Sequence, residues 1–193
     1  MNKKISKYLI IALMSSVFLS FFSCDYETNY RDADYPDQLI YMPAAFNNGK
    51  YVIDEKNGTI GVHPLPGNPY RYVIDEAKKE FRIPLGVYRA GVNNKGAFTV
   101  DINVNSEVIA TINQGLTTPY LLIPSGKYTL VNSVEMQDGA EIATFDLVVN
   151  LDLLRENAPD GIFALGVEIS SKQRERNPNL CVTAVIIHTK ILE

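Results

Sequence analysis

The chain has 193 residues, with 18 Lys and Arg against 22 Asp and Glu, a formal net charge of −4, two cysteines and no tryptophan. The acidic balance argues against a nucleic-acid partner, because such binding depends mainly on basic side chains that neutralise phosphates. Two cysteines cannot supply a disulfide framework, and no P-loop, His-x-x-x-His pair or Gly-x-Ser-x-Gly elbow occurs.

The first segment, "MNKKISKYLIIALMSSVFLSFFSC", has Lys3, Lys4 and Lys7 as its only charges before Cys24. A basic start, an apolar run from Tyr8 to Phe22 and small residues near the end describe a signal peptide over 1–23. The run is too short for a spanning helix, which needs roughly 20 apolar residues. Ser23 before Cys24 resembles a bacterial lipobox, although Phe21 and Phe22 replace the usual aliphatic and small residues. On that reading Cys24 is acylated, becomes the new N-terminus and anchors the protein in the lipid bilayer, since two acyl chains suffice for stable attachment. The alternative is an ordinary secreted protein cut nearby, with Cys24 paired or free. Cutting before Cys24 leaves 15 basic and 22 acidic side chains, a net charge of −7, and no polybasic patch.

Residues 24–38 form an acidic tether in which Asp25, Glu27, Asp32, Asp34 and Asp37 repel one another and oppose collapse. Residues 39–193 are expected to form a single domain, mostly of strands. "QLIYMP", "YVID", "TIGVH", "YRYVID" and "FRIPLGVYRAG" are the early candidates. "AFTVDINVN" alternates cleanly, with Phe98, Val100, Ile102 and Val104 on one side. "SEVIATINQG" reads as a short helix capped by Ser106, with Val108, Ile109 and Ile112 together, and "NLDLLREN" as a turn or two. Both are expected at the rim. "AEIATFDLVVN" and "IFALGVEIS" repeat the period of two through Ala143, Phe145, Leu147 and Val149, and through Phe163, Leu165, Val167 and Ile169. The last run, 180–191, is apolar on both faces and reads as central or covered. It contains Cys181, a small buried hydrophobe in this setting. Turn signals such as Asn48-Gly49, Asn57-Gly58, Ser125-Gly126 and Asp138-Gly139 separate the strands. Many short strands at this spacing indicate an all-β, immunoglobulin-like, two-sheet antiparallel β-sandwich with one or two short rim helices. "YVID" recurs at 51–54 and 72–75, but the flanks differ and no repeat architecture follows.

Chemistry is sparse. His63 sits in a proline-rich turn and His188 ends the last strand, without the acidic or cysteine partners of a metal site, so neither metal nor cofactor is expected. Asp54-Glu55 and Asp75-Glu76 follow strand-like segments and read as solvated strand ends rather than a glycosidase pair, so the protein is not expected to be an enzyme. Binding is harder to dismiss. Eleven tyrosines are present, and Tyr70, Tyr72 and Tyr88, with Arg89, fall in a turn-rich region that offers ligand-binding candidates. The alternative is ordinary sheet tyrosines that pack their rings and send their hydroxyls to water.

The order of signal peptide, Cys24, acidic tether, "LIYMPAA", "AFTVDINVN", "YLLIPSGKYTLVNSVEMQDGAEIATFDLVVN" and "GIFALGVEIS" resembles the immunoglobulin-like N-terminal domain family of Bacteroidota surface lipoproteins, a family of unknown function. Pro124, Tyr128 and Gly139 carry the most specific part. Leu165-Gly166 departs from the family's usual Leu-Pro. The resemblance implies a domain that accompanies glycan-processing or lectin-like modules, and it brings no catalytic residue. It points to a cell-envelope, outer-membrane lipoprotein at the surface, an accessory or glycan-binding component with a glycan or surface-protein partner. The competing expectation is a structural pilus or adhesin-type subunit that pairs edge strands, with 180–191 as donor or acceptor.

Overall fold

The computed structural model describes residues 38–56, 70–91 and 93–193. Cys24, the signal peptide, the tether up to residue 37, His63 and Asn57-Gly58 lie outside them. In chain order the strands and helices are β1 (Leu39–Tyr41), β2 (Lys50–Ile53), β3 (Val73–Asp75), β4 (Glu80–Arg89), β5 (Phe98–Val104), α1 (Ser106–Asn113), β6 (Leu121–Leu122), β7 (Tyr128–Leu130), β8 (Ser133–Met136), β9 (Ile142–Asn150), α2 (Leu151–Arg155), β10 (Ile162–Ser170), β11 (Glu175–Arg176) and β12 (Val182–His188). Short 3₁₀ turns occupy Pro43–Ala45 and Thr189–Leu192.

Two six-stranded sheets form a sandwich, as the alternating segments predict. Sheet A runs β11-β1-β4-β9-β7, with β3 also on β4, and sheet B runs β2-β12-β10-β5-β8, with β6 also on β10. Phe81, Ile83, Leu85 and Val87 of β4 and Ala143, Phe145, Leu147 and Val149 of β9 supply one inner face. Phe98, Val100 and Ile102 of β5, the odd residues 163–169 of β10, and Val185 and Ile187 of β12 supply the other. The pairing is mixed rather than wholly antiparallel. β1 lies parallel to β11, β6 to β10 and β2 to β12, because chain segments far apart in sequence meet at the sheet edges. Val104, expected inside with its β5 neighbours, is 44% exposed because β8 pairs only with Phe98–Asp101 and leaves the strand's end uncovered.

Pro84 lies inside a ten-residue strand, where a missing amide is normally costly. β3 pairs with residues 80–82 of β4 and β1 with residues 88–89, so Pro84 falls in the interval between them. Among the described residues that edge has no strand there to receive an N–H.

One helix, α1, departs from the rim placement. α1 lies over the outer face of sheet B, where Ile109 packs with Ala164, Ala184 and Ile186 in a second, smaller core. This covering explains why β12 is apolar on both faces. Asn105, not Ser106, caps α1: its side-chain oxygen accepts from the amides of Glu107 and Val108 at 3.1 and 3.2 Å. An eight-residue helix is marginal alone, and the fully buried Ile109 contributes about 1.5–3 kcal/mol to hold it down. Gly166 makes the approach possible, since a Cβ there would stand 1.9 Å from the Asn105 carbonyl oxygen. Its departure from the family's proline therefore has a local reason in this fold.

The C-terminal run, considered above as a donor or acceptor edge, is interior. β10 occupies one side of β12 and β2 the other. The two "YVID" copies fall in different sheets, at β2 and β3, which removes any sense of a repeat.

Candidate functional site

After β1 the chain passes through buried Met42 into the 3₁₀ turn, which Pro43 opens at a position where its missing N–H leaves no gap. The Phe46 amide donates to the Pro43 carbonyl at 3.0 Å, and the Thr183 hydroxyl of β12 donates to the Ala44 carbonyl at 2.8 Å. Held from both sides, the turn presents the Phe46 ring 56% exposed. The chain then reverses through Asn48 and Gly49, at φ 49° and 71°, left-handed values that asparagine and glycine adopt most readily. It enters β2 at Lys50.

An open cleft of about 630 Å³ lies between this turn and β2, lined by Pro43, Phe46, Lys50, Tyr51, Asp54 and Arg71 among others. Arg71 reaches it from before β3. Its guanidinium donates to the Val52 carbonyl and stands 5.3 Å from the centre of the Tyr51 ring, a cation–π distance. The Tyr51 side chain is 5% exposed, beneath the Arg71 guanidinium. Burial pushes the Tyr51 titration up, and the hydrogen bond and charge of the neighbouring Arg71 pull against it.

Phe46 also ends an aromatic row. Its ring stacks on Tyr41 at 5.7 Å between centroids, and Tyr41 stacks on Tyr88 at 5.6 Å. The register pairs Tyr41 with Tyr88 across β1 and β4, so both rings rise from the outer face of sheet A. Burial raises the Tyr88 titration, helped by Tyr41 and Glu141.

The four binding candidates do not gather at one place. Tyr88 joins the row, and Tyr70 is half exposed at the approach to β3. Tyr72 is buried, stacked on Phe81 at 4.7 Å within the core. Tyr72 therefore meets the first turn of β4 while Tyr88 lies near its end, seven residues or about 23 Å along the strand. Arg89 points inward and is 4% exposed. Its guanidinium donates to the carbonyls of Lys95, Gly96 and Gln137 at 3.0, 2.8 and 3.1 Å and lies 4.9 Å from the Phe98 ring centre. That is a clamp tying two turns to the sandwich. Burial lowers the Arg89 titration, with the nearby Arg174 adding to it.

The remaining groups also have structural settings. Cys181 is a buried free thiol, and Glu76 pairs with Arg155 at 2.9 Å on the surface. Among the described residues no cluster of three or more His, Cys, Asp or Glu side chains is placed to hold a metal. Phe46 and Tyr41 were missed in the sequence. The available signal was an aromatic ring inside a turn, "AAFNNG", where a buried side chain has no reason to be.

A family model whose description reads "-like, N-terminal domain" matches residues 35–176. The chain belongs to this family of N-terminal domains. It is the immunoglobulin-like family of unknown function that the sequence resembles. Among solved structures, a candidate carbohydrate-binding protein from Bacteroides ovatus aligns with a TM-score of 0.51 at 10% identity, over 78% of this chain and 36% of its own. A two-domain protein of unknown function from Bacteroides fragilis aligns with a TM-score of 0.50 at 10% identity, over 86% of this chain and 50% of its own. These likenesses establish the fold. The chain spans 36% and 50% of the length of the two solved relatives. No curated protein matches it.

Proposed function

We propose that this family member is a non-enzymatic, membrane-tethered accessory domain that captures glycan at the Phe46 cleft. The observation that carries the reading is the composition of the cleft walls. One is an exposed ring continuous with a stacked aromatic row, and the other bears Lys50, Asp54 and Arg71. Sugar rings present a C–H face that stacks on an aromatic plane and an equatorial belt of hydroxyls that needs donors and acceptors. A partly apolar cleft with a few convergent polar groups answers both needs. The family's resemblance to domains beside glycan-processing modules supports this assignment, as does the carbohydrate-binding description of the Bacteroides ovatus relative.

Acylation at Cys24 would hold the domain at the outer membrane, with the acidic tether as spacer. Edge-strand assembly has less in its favour. β12 is paired on both sides, and the outer edge of β2 is met by the Arg71 guanidinium at Val52.

Calorimetric titration against a broad polysaccharide panel tests the proposal. Binding is expected for the native protein, with a loss of about tenfold or more in Phe46→Ala and an unchanged melting temperature. A native protein that binds no member of the panel would overturn the reading. Mass spectrometry of the envelope-extracted chain should find the lipid on Cys24, and an unmodified N-terminus elsewhere would remove the anchor from the scheme.

A further inference from the structure

We propose that the loop from Ser170 to Arg176, after β10, is a second binding site, which takes an oxyanion of the sulfate or carboxylate type at Lys172 and Arg174. An open cleft of about 780 Å³ lies along this loop and shares no lining residue with the Phe46 cleft, so the two sites stand or fall separately. Its lining carries three cations, Lys172, Arg174 and Arg176, against one acid, Glu175. Arg176 is occupied, since its guanidinium pairs with Glu168 and donates to the Ile169 carbonyl at 3.3 Å. Lys172 and Arg174 have no carboxylate partner among the described residues.

The loop is held in place. β10 ends at Ser170, and side chains beyond it take over the bonding to β5. The Ser171 hydroxyl donates to the Thr99 carbonyl at 2.7 Å, and the Thr99 amide donates to the Gln173 side-chain oxygen at 3.0 Å. The Gln173 amide in turn donates to the Ser171 hydroxyl at 3.2 Å. The pinned loop sets the Arg174 guanidinium 5.2 Å from the centre of the Phe98 ring, and Arg89 lies 4.9 Å from the same centre. Two guanidiniums therefore share one ring, and the three hydrogen bonds of Arg89 all go to uncharged carbonyls. Asp138 acts on Arg89 from a distance and forms an ion pair with neither arginine. Like charges placed so close draw an anion to whichever of them solvent reaches. Arg89 is buried, whereas Arg174 is half-buried and lines the cleft. Its Nη1 donates to the Gln173 carbonyl at 3.0 Å, and its Nη2 has no hydrogen-bond partner among the described residues. An oxyanion would accept from Nη2, with the Lys172 ammonium supplying further charge.

The test titrates the native protein by calorimetry with three probes: a chondroitin sulfate oligosaccharide, the same oligosaccharide desulfated and carboxyl-reduced, and inorganic sulfate. The acidic oligosaccharide should bind about tenfold or more tightly than its neutral counterpart, as charge-assisted hydrogen bonds imply, and the margin should shrink with added salt. Arg174→Gln should erase the margin, Lys172→Gln should narrow it, and Phe46→Ala should leave it unchanged. If Arg174→Gln melts early, Lys172→Gln, at an exposed position, carries the test. Inorganic sulfate bound as tightly as the oligosaccharide, with the same need for Lys172 and Arg174, would support the site with a free anion as its ligand. Weaker sulfate binding would support an anion carried on a sugar. Acidic and neutral forms bound equally well would overturn the site, and if Phe46 were still required, glycan capture at the other cleft would stand. A margin that survives the loss of both cations, or that vanishes in Phe46→Ala, would also overturn it, as would failure of all three probes to bind.

Discussion

The outward positions of the two sheets hold different residues. On sheet B, Ala164, Gly166 and Ala184 lie beneath α1, small enough for a helix to settle directly on the strands. On sheet A the outward positions hold Tyr41, Arg82, Pro84, Tyr88 and Asp146, and none of them joins the second core. The covered face gives up alternation and gains burial, so β12 reads as apolar throughout. The displayed face keeps alternation and is free to carry side chains whose size and polarity packing does not dictate. The aromatic row stands on this second face and leads to the cleft through Phe46.

Substitutions that disturb one face and spare the other test that division. The largest effect is expected from Gly166→Ala. The new methyl would meet the Asn105 carbonyl, which is backbone, and the Val108 side chain, so either α1 lifts or β10 bends. A loss of more than about 3 kcal/mol in denaturant unfolding is expected, at the high end for overpacking. Any ligand affinity at Phe46 should survive wherever the variant remains folded.

Arg89→Ala strikes beneath the displayed face instead. It strips donors from three carbonyls and a charge from above Phe98, and should cost about 2–3 kcal/mol. A stability loss with unaltered binding would assign Arg89 to support. Affinity loss at full stability would return it to the ligand site. Asn105→Ala should have the smallest effect, about 1 kcal/mol, through the α1 cap. Amide exchange should then rise in α1 and stay unchanged in β4. Matching rises in both would mean the faces are not independent.

The covered face was legible in outline. The double-sided apolarity of 180–191 announced a covering layer, and the inner faces of β9 and β10 were exposed by their period of two. What covers β12 was less visible, because α1 is short and its cap lies one residue before the serine that draws the eye. The parallel pairs were hidden as well, since no local pattern tells β2 that it will meet β12. The same limit applies to the row. Tyr41 and Tyr88 become neighbours only through the β1–β4 register, and Phe46 joins them only through a turn fixed by Thr183. Tyr72 shows the converse error. Its neighbours suggested exposure, and only the stacking partner Phe81 explains why it turned inward.

The crossed pairings also set an order of events. Lys50 sits beside Ala184, so β2 takes its place only against β12, whereas β1 lies between β11 and β4. The hairpin contacts of β4 with β3 are local and can form early. Pairing across such sequence distances carries a loop-closure cost and is correspondingly slow. A chain emerging from its start onward would therefore hold β2 without its partner until β12 had been made. Completion of the sandwich is tied to β12, and a product truncated before β12 would leave the edge of β2, and with it one wall of the cleft, without its seat.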